Sequence, residues 1–280
     1  MFACRRPRWL FGTRRPKVGS PARSVYFETM ETILVTGASR GIGAATANAL
    51  ARAGRRVIGV GRNRRTLDEA GKRVADRGAT WCSHACDLSQ PEQVEELVRA
   101  WPDLDGLILN AGISNDVQFG RATPEQVQNE LQVNYLTPVT LLRHHLSRMR
   151  NRGGGRVVAV GSLTSFVPFP GNATYAASKS ALYALLRSLR VELRGSGVQL
   201  GIVLAGYTDT AMTRGMRTRL PAMTADAVGR TAQRAYEKGG GVVIPGLMNR
   251  AAAGVFGAFP DSSDLVFARM SQLLVPQTDG

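Results

Sequence analysis

Three side chains in one stretch of this sequence could together move a proton. Tyr175 and Lys179 stand four residues apart in an Ala-rich segment, and Ser162 closes an apolar run 13 residues before the tyrosine. If the segment is helical, the phenol and the ammonium share one face, one turn apart. A phenol with an ordinary pKa of about 10 is a poor acid–base catalyst at neutral pH, and a nearby cation favours the phenolate. Only four of the 36 basic residues are lysine, namely Lys17, Lys72, Lys179 and Lys238. A compact ammonium at this position therefore runs against the habit of an arginine-rich chain. The pair alone also fits an ordinary helix with a buried Tyr and a solvated Lys, so its setting must decide.

That setting is an alternation of short apolar runs and amphipathic stretches. Strands are predicted at Ile33 to Val35, Val57 to Val60, Trp81 to Cys86, Leu107 to Leu109, Val157 to Val160, Gln199 to Leu204 and Val242 to Ile244. Between them lie an Ala-rich helix from Ala44 to Ala53 ended by Gly54, a polar helix from Thr66 to Asp76, and the Tyr175 helix running to about Arg194. Capping boxes are predicted at Ser89-Gln90-Pro91-Glu92 and Thr123-Pro124-Glu125-Gln126, each with Pro in the first turn of its helix. The pattern predicts one α/β domain, a Rossmann-like doubly wound parallel sheet of about seven strands with helices on both faces. In such sheets the ligand lies beyond the carboxyl ends of the strands.

The residues at those ends are informative. The first strand runs into Thr36-Gly37-Ala38-Ser39-Arg40-Gly41-Ile42-Gly43 at a helix start. Glycines there let backbone approach a phosphate, and the helix N-terminus offers free amides. The second strand ends at Arg62, 19 positions past Gly43, where a carboxylate would bind a ribose diol. Arginine instead suits a 2′-phosphate, with Arg40 able to join it, so NADP(H) is expected over NAD(H). Asp87-Leu88 follows the third strand, Asn110-Ala111-Gly112 the fourth and Ser162 the fifth.

With these motifs in this order, the sequence resembles the short-chain dehydrogenase/reductase family over about residues 31–250. The resemblance implies that Tyr175 is the general acid in carbonyl reduction, or the base in reverse, and that Ser162 hydrogen-bonds the substrate oxygen. It implies that Lys179 holds the nicotinamide ribose and lowers the Tyr175 pKa, while Asn134 positions a water in a proton relay. Gly37, Ser39, Arg40, Gly41, Ile42 and Gly43 would cradle the cofactor. Asp87 would contact the adenine beside Leu88, Asn110, Ala111 and Gly112 would line the cofactor, and Thr210 would reach its carboxamide end. Thr164 and Ser165 read as loop residues. The family's usual Pro-Gly after the sixth strand is Ala205-Gly206 here, which predicts a looser turn. A homodimer or homotetramer is also implied.

The formal charge of +15 raises nucleic acid as a partner, but its distribution argues otherwise. Residues 1–29 carry +6, and the other basic residues scatter over predicted helices with few aromatics among them, which leaves little for base stacking. This leader, which Met30 would make dispensable as a start, is expected to be disordered or not native; a targeting segment or a functional basic arm are the alternatives. Residues 30–250 form the expected catalytic domain and 251–280 a helical tail, amphipathic over Leu265 to Leu274, that could cover the site, join subunits or touch a membrane. Three cysteines make no disulfide framework, so a reducing, cytoplasmic setting is expected, organellar if the leader targets. Cys82, His84 and Cys86 share a strand face but lack a fourth ligand, so no metal is expected. No apolar run reaches the length of a membrane span. The loop 166–170 and Met212, Met216 and Met223 suggest apolar walls for a lipid-like substrate, with the two stretches packing on each other as the alternative; Arg214, Arg217 and Arg219 could meet an acidic group or face solvent. A non-catalytic NADP-binding module remains the alternative to an enzyme.

Overall fold

The structure, a computed structural model, describes residues 30–167, 171–213, 222–258, 264–265 and 268–269. Its frame is a seven-stranded parallel sheet. In chain order the elements are β1 (Glu31–Thr36), α1 (Gly41–Leu50), β2 (Arg55–Gly61), α2 (Arg64–Ala75), β3 (Thr80–Ala85), α3 (Pro91–Ala100), β4 (Gly106–Leu109), α4 (Pro124–Leu131), α5 (Thr137–Asn151), β5 (Gly155–Ser162), α6 (Ala173–Glu192), β6 (Val198–Ala205), β7 (Thr208–Asp209), β8 (Met223–Thr224), α7 (Ala225–Glu237), β9 (Gly241–Val243) and α8 (Leu247–Ala258). The sheet order is β3-β2-β1-β4-β5-β6-β9, so strand order reverses between β1 and β4. That reversal opens a crevice at the carboxyl ends of the two strands.

The expected doubly wound α/β fold is therefore present, with each predicted strand found within a residue or two of its expected limits. The central strands are buried on both faces, as their unbroken apolar runs require. One core lies between the sheet and α1, α2 and α7; the other lies between the sheet and α3, α5 and α6. At the amino ends of the strands, Arg55 is buried between Glu31 (2.6 Å) and Glu237 (2.8 Å), and Tyr236 donates to Glu31 at 2.8 Å. These contacts tie β1 and β2 to α7, at the end of the sheet opposite the crevice.

Several local expectations change. The Thr123 capping box forms, with side-chain and backbone bonds exchanged with Gln126. The Ser89 box does not. Gln90 occupies the N-cap, and Ser89 gives its backbone N–H and hydroxyl to Asp87 Oδ1 at 3.0 and 2.8 Å. An acceptor two residues upstream thus outcompetes the helix amides. The turn after β6 is not left loose by its missing proline, because Thr213 donates to the Thr208 carbonyl (2.6 Å) and β7 pairs with β8. The expected boundary at residue 250 falls inside α8. The leader 1–29 and the greater part of the run from Leu265 to Leu274 lie outside the described residues. Among the described residues, no helix is long and apolar enough to cross a membrane.

Candidate active site

The glycine turn between β1 and α1 occupies the crevice. Gly37 and Gly41 adopt φ of +67° and +57°, a region that side chains disfavour. A Cβ at Gly43 would lie 2.1 Å from the Gly37 carbonyl oxygen, so only glycine lets α1 start this close to β1. Arg40 occupies the N-cap of α1 without capping it by its side chain, and the first turn holds no acid. Free amides at an uncapped, acid-free helix start suit a phosphate. Ser39 lies beside Gly61 at the end of β2, and Arg40 and the neighbouring Arg62 are both exposed. Among the described residues, neither arginine has an ion-pair partner. Ile42 packs on the core and Thr210 sits against Gly41, closing the other side of the turn.

Asn110 supports this turn from β4. Its side-chain amide donates to the Thr36 and Gly37 carbonyls at 3.0 and 3.4 Å, and the N–H groups of Asn110 and Ala111 both reach the Thr36 hydroxyl. These bonds hold the glycine turn against β4. Leu88 is also scaffold, with its side chain in the core and its carbonyl accepting from Thr137 at 2.7 Å. One carboxylate oxygen of Asp87 is engaged by Ser89.

The side chains expected to handle a proton converge past β4 and β5. Ser162 Oγ accepts from the N–H (3.2 Å) and the hydroxyl (2.9 Å) of Thr164. Both lone pairs are thereby used, which commits the Ser162 proton to donation. The Ser162 hydroxyl lies near that of Tyr175, on the first turn of α6, close enough to favour the phenolate. Lys179, one turn further, is 4% exposed, and its ammonium lies 5.7 Å from the centre of the Tyr175 ring. Among the described residues, Lys179 has no hydrogen bond or ion pair. A Cβ on Gly112 would come within 3.0 Å of its Nζ and 3.2 Å of Asn134 Oδ1, so Gly112 keeps open the space that both face.

Electrostatics depart from one expectation. Burial pushes Tyr175 up to about 12, with Asp116 and Glu130 adding to the rise and Ser162 opposing it. Burial also brings Lys179 down to about 8. Lys179 does not lower the phenol, because burial discharges the ammonium near pH 8, well before Tyr175 ionises.

Asn134 lies in a π-helical turn, Gln132–Leu136, between α4 and α5. Pro138 causes the local irregularity, since it has no N–H to give the Asn134 carbonyl. The Asn134 side chain is fully engaged: Oδ1 accepts from Ile113 N–H (2.8 Å), and Nδ2 donates to the Ile113 carbonyl (2.9 Å) and Ser178 Oγ (3.0 Å). Ser178 in turn donates to the Tyr175 carbonyl at 2.7 Å.

Thr36, Thr164 and Ser178 are thus site residues that sequence reasoning missed, and their signal is confined to short polar turns. The expected apolar walls are reduced. Phe166 packs on Tyr183 and Val167 is buried, while Met223 lies against the core. Met212 is 40% exposed. Pro168 to Pro170, Met216, Arg214, Arg217 and Arg219 lie outside the described residues. Cys82 and Cys86 belong to the core, and His84 accepts from the Trp101 indole (3.2 Å).

Comparison with known proteins places this arrangement in context. Residues 31–221 match the family described as short chain dehydrogenase. The 3-oxoacyl-[acyl-carrier-protein] reductase FabG of Rickettsia prowazekii is 31% identical over 185 residues, covering 66% of this chain and 76% of that protein. The ketoacyl reductase HetN of Nostoc is 32% identical over 215 residues, 75% of each chain. Among solved structures, the short-chain dehydrogenase from Sphingobium yanoikuyae in complex with NADPH superposes with a TM-score of 0.74 at 28% identity, over 89% of this chain and 98% of that one.

Proposed function

Because the chain belongs to the short-chain dehydrogenase family, an oxidoreductase family, we propose that it is an NADP(H)-dependent enzyme interconverting a carbonyl compound and its alcohol, with Tyr175 as general acid. The observation that carries this reading is the convergence of the Ser162 and Tyr175 hydroxyls with the buried ammonium of Lys179, which lies 5.7 Å from the centre of the Tyr175 ring and has no hydrogen bond or ion pair among the described residues.

The residues present fit a phosphorylated dinucleotide. The amides around Gly41 to Gly43 would hold its pyrophosphate, Arg40 and Arg62 its 2′-phosphate, and Lys179 the nicotinamide ribose diol. The cofactor of the Sphingobium neighbour, NADPH, agrees with this donor set. When bound, the nicotinamide supplies the hydride. Ser162, its oxygen already filled by Thr164, donates to the substrate oxygen and stabilises the charge that grows there. Tyr175, protonated at neutral pH, gives that oxygen its proton. Asn134 braces the π-helical turn, where a water would connect Lys179 to solvent. The Rickettsia and Nostoc relatives suggest a 3-oxoacyl or similar apolar carbonyl substrate, with Met212 on the wall. A cytoplasmic homodimer or homotetramer is part of the same reading.

The test is titration with NADPH and NADH, then turnover on a carbonyl panel. NADPH binds more tightly. Tyr175→Phe lowers kcat by roughly 10²–10⁴-fold, the usual contribution of positioned proton transfer, with NADPH affinity kept. Unchanged turnover in that variant refutes the assignment.

A further inference from the structure

Glu130 is a carboxylate where the fold asks for none. It lies on the inward face of α4 and is 1% exposed. Among the described residues it has no ion-pair partner. A buried ionised group without a cation is costly, and an apolar side chain would fill the same space at less cost. Packing therefore does not account for it.

Its hydrogen bonds do. Oε1 accepts from the Asn115 N–H at 2.6 Å, on the loop that leaves β4, and Oε2 accepts from the hydroxyl of Thr174, the residue before Tyr175. The same two segments are joined again where the Ser114 hydroxyl lies 2.7 Å from both Asn172 Oδ1 and Asp116 Oδ1, its one proton shared between them. Asn172 stands at the N-cap of α6 yet makes no side-chain cap bond, because its oxygen is spent on the loop. Asn115 also donates from its side chain to the Gln126 carbonyl of α4 (3.0 Å). Three elements thus meet at one carboxylate, one residue from the phenol.

We propose that Glu130 is a positioning residue, whose buried carboxylate clamps the loop after β4 to the first turn of α6 and so fixes Tyr175 toward Ser162. The clamp rests on the function proposed above for Tyr175. It acts in two separable ways. The hydrogen bonds set where the phenol sits. The charge sets how firmly the phenol keeps its proton, since Glu130 and the exposed Asp116 both face Tyr175 with negative charge, against Ser162 from β5, while Lys179 on the same helix lies over the ring. Like charge nearby favours the neutral phenol.

Glu130→Ala, Glu130→Gln and Thr174→Val separate these effects. Hydrogen exchange read by mass spectrometry reports residues 113–116 and 172–176 directly, and kcat, KM for NADPH and the pH profile of alcohol oxidation report the chemistry. Glu130→Ala speeds exchange in both segments about ten- to a hundredfold, the value of a charged hydrogen bond. It lowers kcat by about the same factor and leaves KM for NADPH within about twofold. Glu130→Gln keeps an acceptor for the Asn115 N–H and reverses the Thr174 bond, the new amide N–H donating to that hydroxyl, so exchange stays slow while the oxidation profile moves to lower pH by roughly half a unit to one unit. Thr174→Val releases the helix end with the charge retained, so it speeds exchange in 172–176 without moving the profile; it carries the test if Glu130→Ala does not fold. Unaltered exchange in Glu130→Ala, or faster exchange with undiminished kcat, overturns the clamp. An unmoved profile in Glu130→Gln overturns the role of the charge. Exchange is independent of turnover, so a wild-type protein inert toward every carbonyl compound refutes the proposed function and leaves the clamp to be decided by exchange.

Discussion

Replacing Gly43 by Ala tests the glycine turn with a single methyl group. The added Cβ would stand 2.1 Å from the Gly37 carbonyl oxygen and 2.5 Å from Asn110 Nδ2, whereas real Cβ contacts under 3.0 Å are essentially unknown. Something must move by about an ångström. Gly37 cannot move alone, because the Asn110 amide holds the Thr36 and Gly37 carbonyls and the Ala38 N–H donates to Val60 at 3.0 Å. The start of α1 must therefore lift away from β1. Overpacking of this kind costs about 1–3 kcal/mol of stability. A phosphate held by that helix start is misplaced by the same ångström, a shift that costs on the order of a hundredfold where geometry is demanding. The assay is NADPH binding by fluorescence, with thermal unfolding alongside. Gly41→Ala is the control. Among the described residues its Cβ would meet only the Thr210 side chain, at an ordinary 3.5 Å, so its cost is mainly the strain of φ +57°, roughly 1–2 kcal/mol. If Gly43→Ala binds NADPH within about threefold of wild type, the turn is not the phosphate cradle.

Two further outcomes follow from the same geometry. Thr164→Val removes the hydroxyl that fills Ser162 Oγ and should lower kcat by about two- to tenfold, the value of one hydrogen bond, while Thr164→Ser restores it; a Val variant with full turnover refutes the role. His145, buried on α5 edge-on to His144 (5.0 Å), is pushed down to about 4 by burial, with the charges of His144, Arg148 and Arg152 acting in the same direction. The unfolded chain then binds more protons between pH 6.5 and 4, so stability falls with pH through that window, by about 2 kcal/mol at pH 5. Urea midpoints at pH 7 and 5 measure this, and an equal fall in His145→Leu refutes it.

The sheet was legible because burial on both faces writes strands as unbroken apolar runs. The candidate site was legible because its main parts sit at strand ends, as Ser162 does, or at a fixed spacing beyond one, as Tyr175 and Lys179 do. What escaped were small polar residues that choose among several partners within a few residues. Ser89 sits in a capping-box sequence and spends its hydroxyl on Asp87 instead. Thr164, set aside as a loop residue, orients Ser162. Glu130 falls in a helical stretch where a charge would ordinarily face water, and only the fold turns it inward. Phe166 was expected against substrate, and Tyr183 of α6 takes it into the core. Sequence spacing carries position along the chain; it does not carry which of two acceptors wins.

The shifts of the central pair also bear on reaction direction. A phenol held at about 12 is ionised in about one molecule in 10⁵ at pH 7, so Tyr175 is poised to give a proton and poorly placed to take one. Reduction needs the donor. Oxidation needs the phenolate, whose population rises tenfold with each pH unit below 12. Lys179, at about 8, remains mostly charged at neutral pH and can donate to a ribose diol, then loses that charge as pH rises through 8. Its lowered pKa means that the folded chain binds fewer protons than the unfolded chain between 8 and 10.5, so the charged form costs the fold about 3 kcal/mol at pH 7. An arginine could not serve here, because its charge persists and its planar fork needs partners that this pocket does not offer. Lys179, buried beside a tyrosine in an arginine-rich chain, is thus placed at a net cost to stability, a cost that the proposed contact with a cofactor ribose would offset.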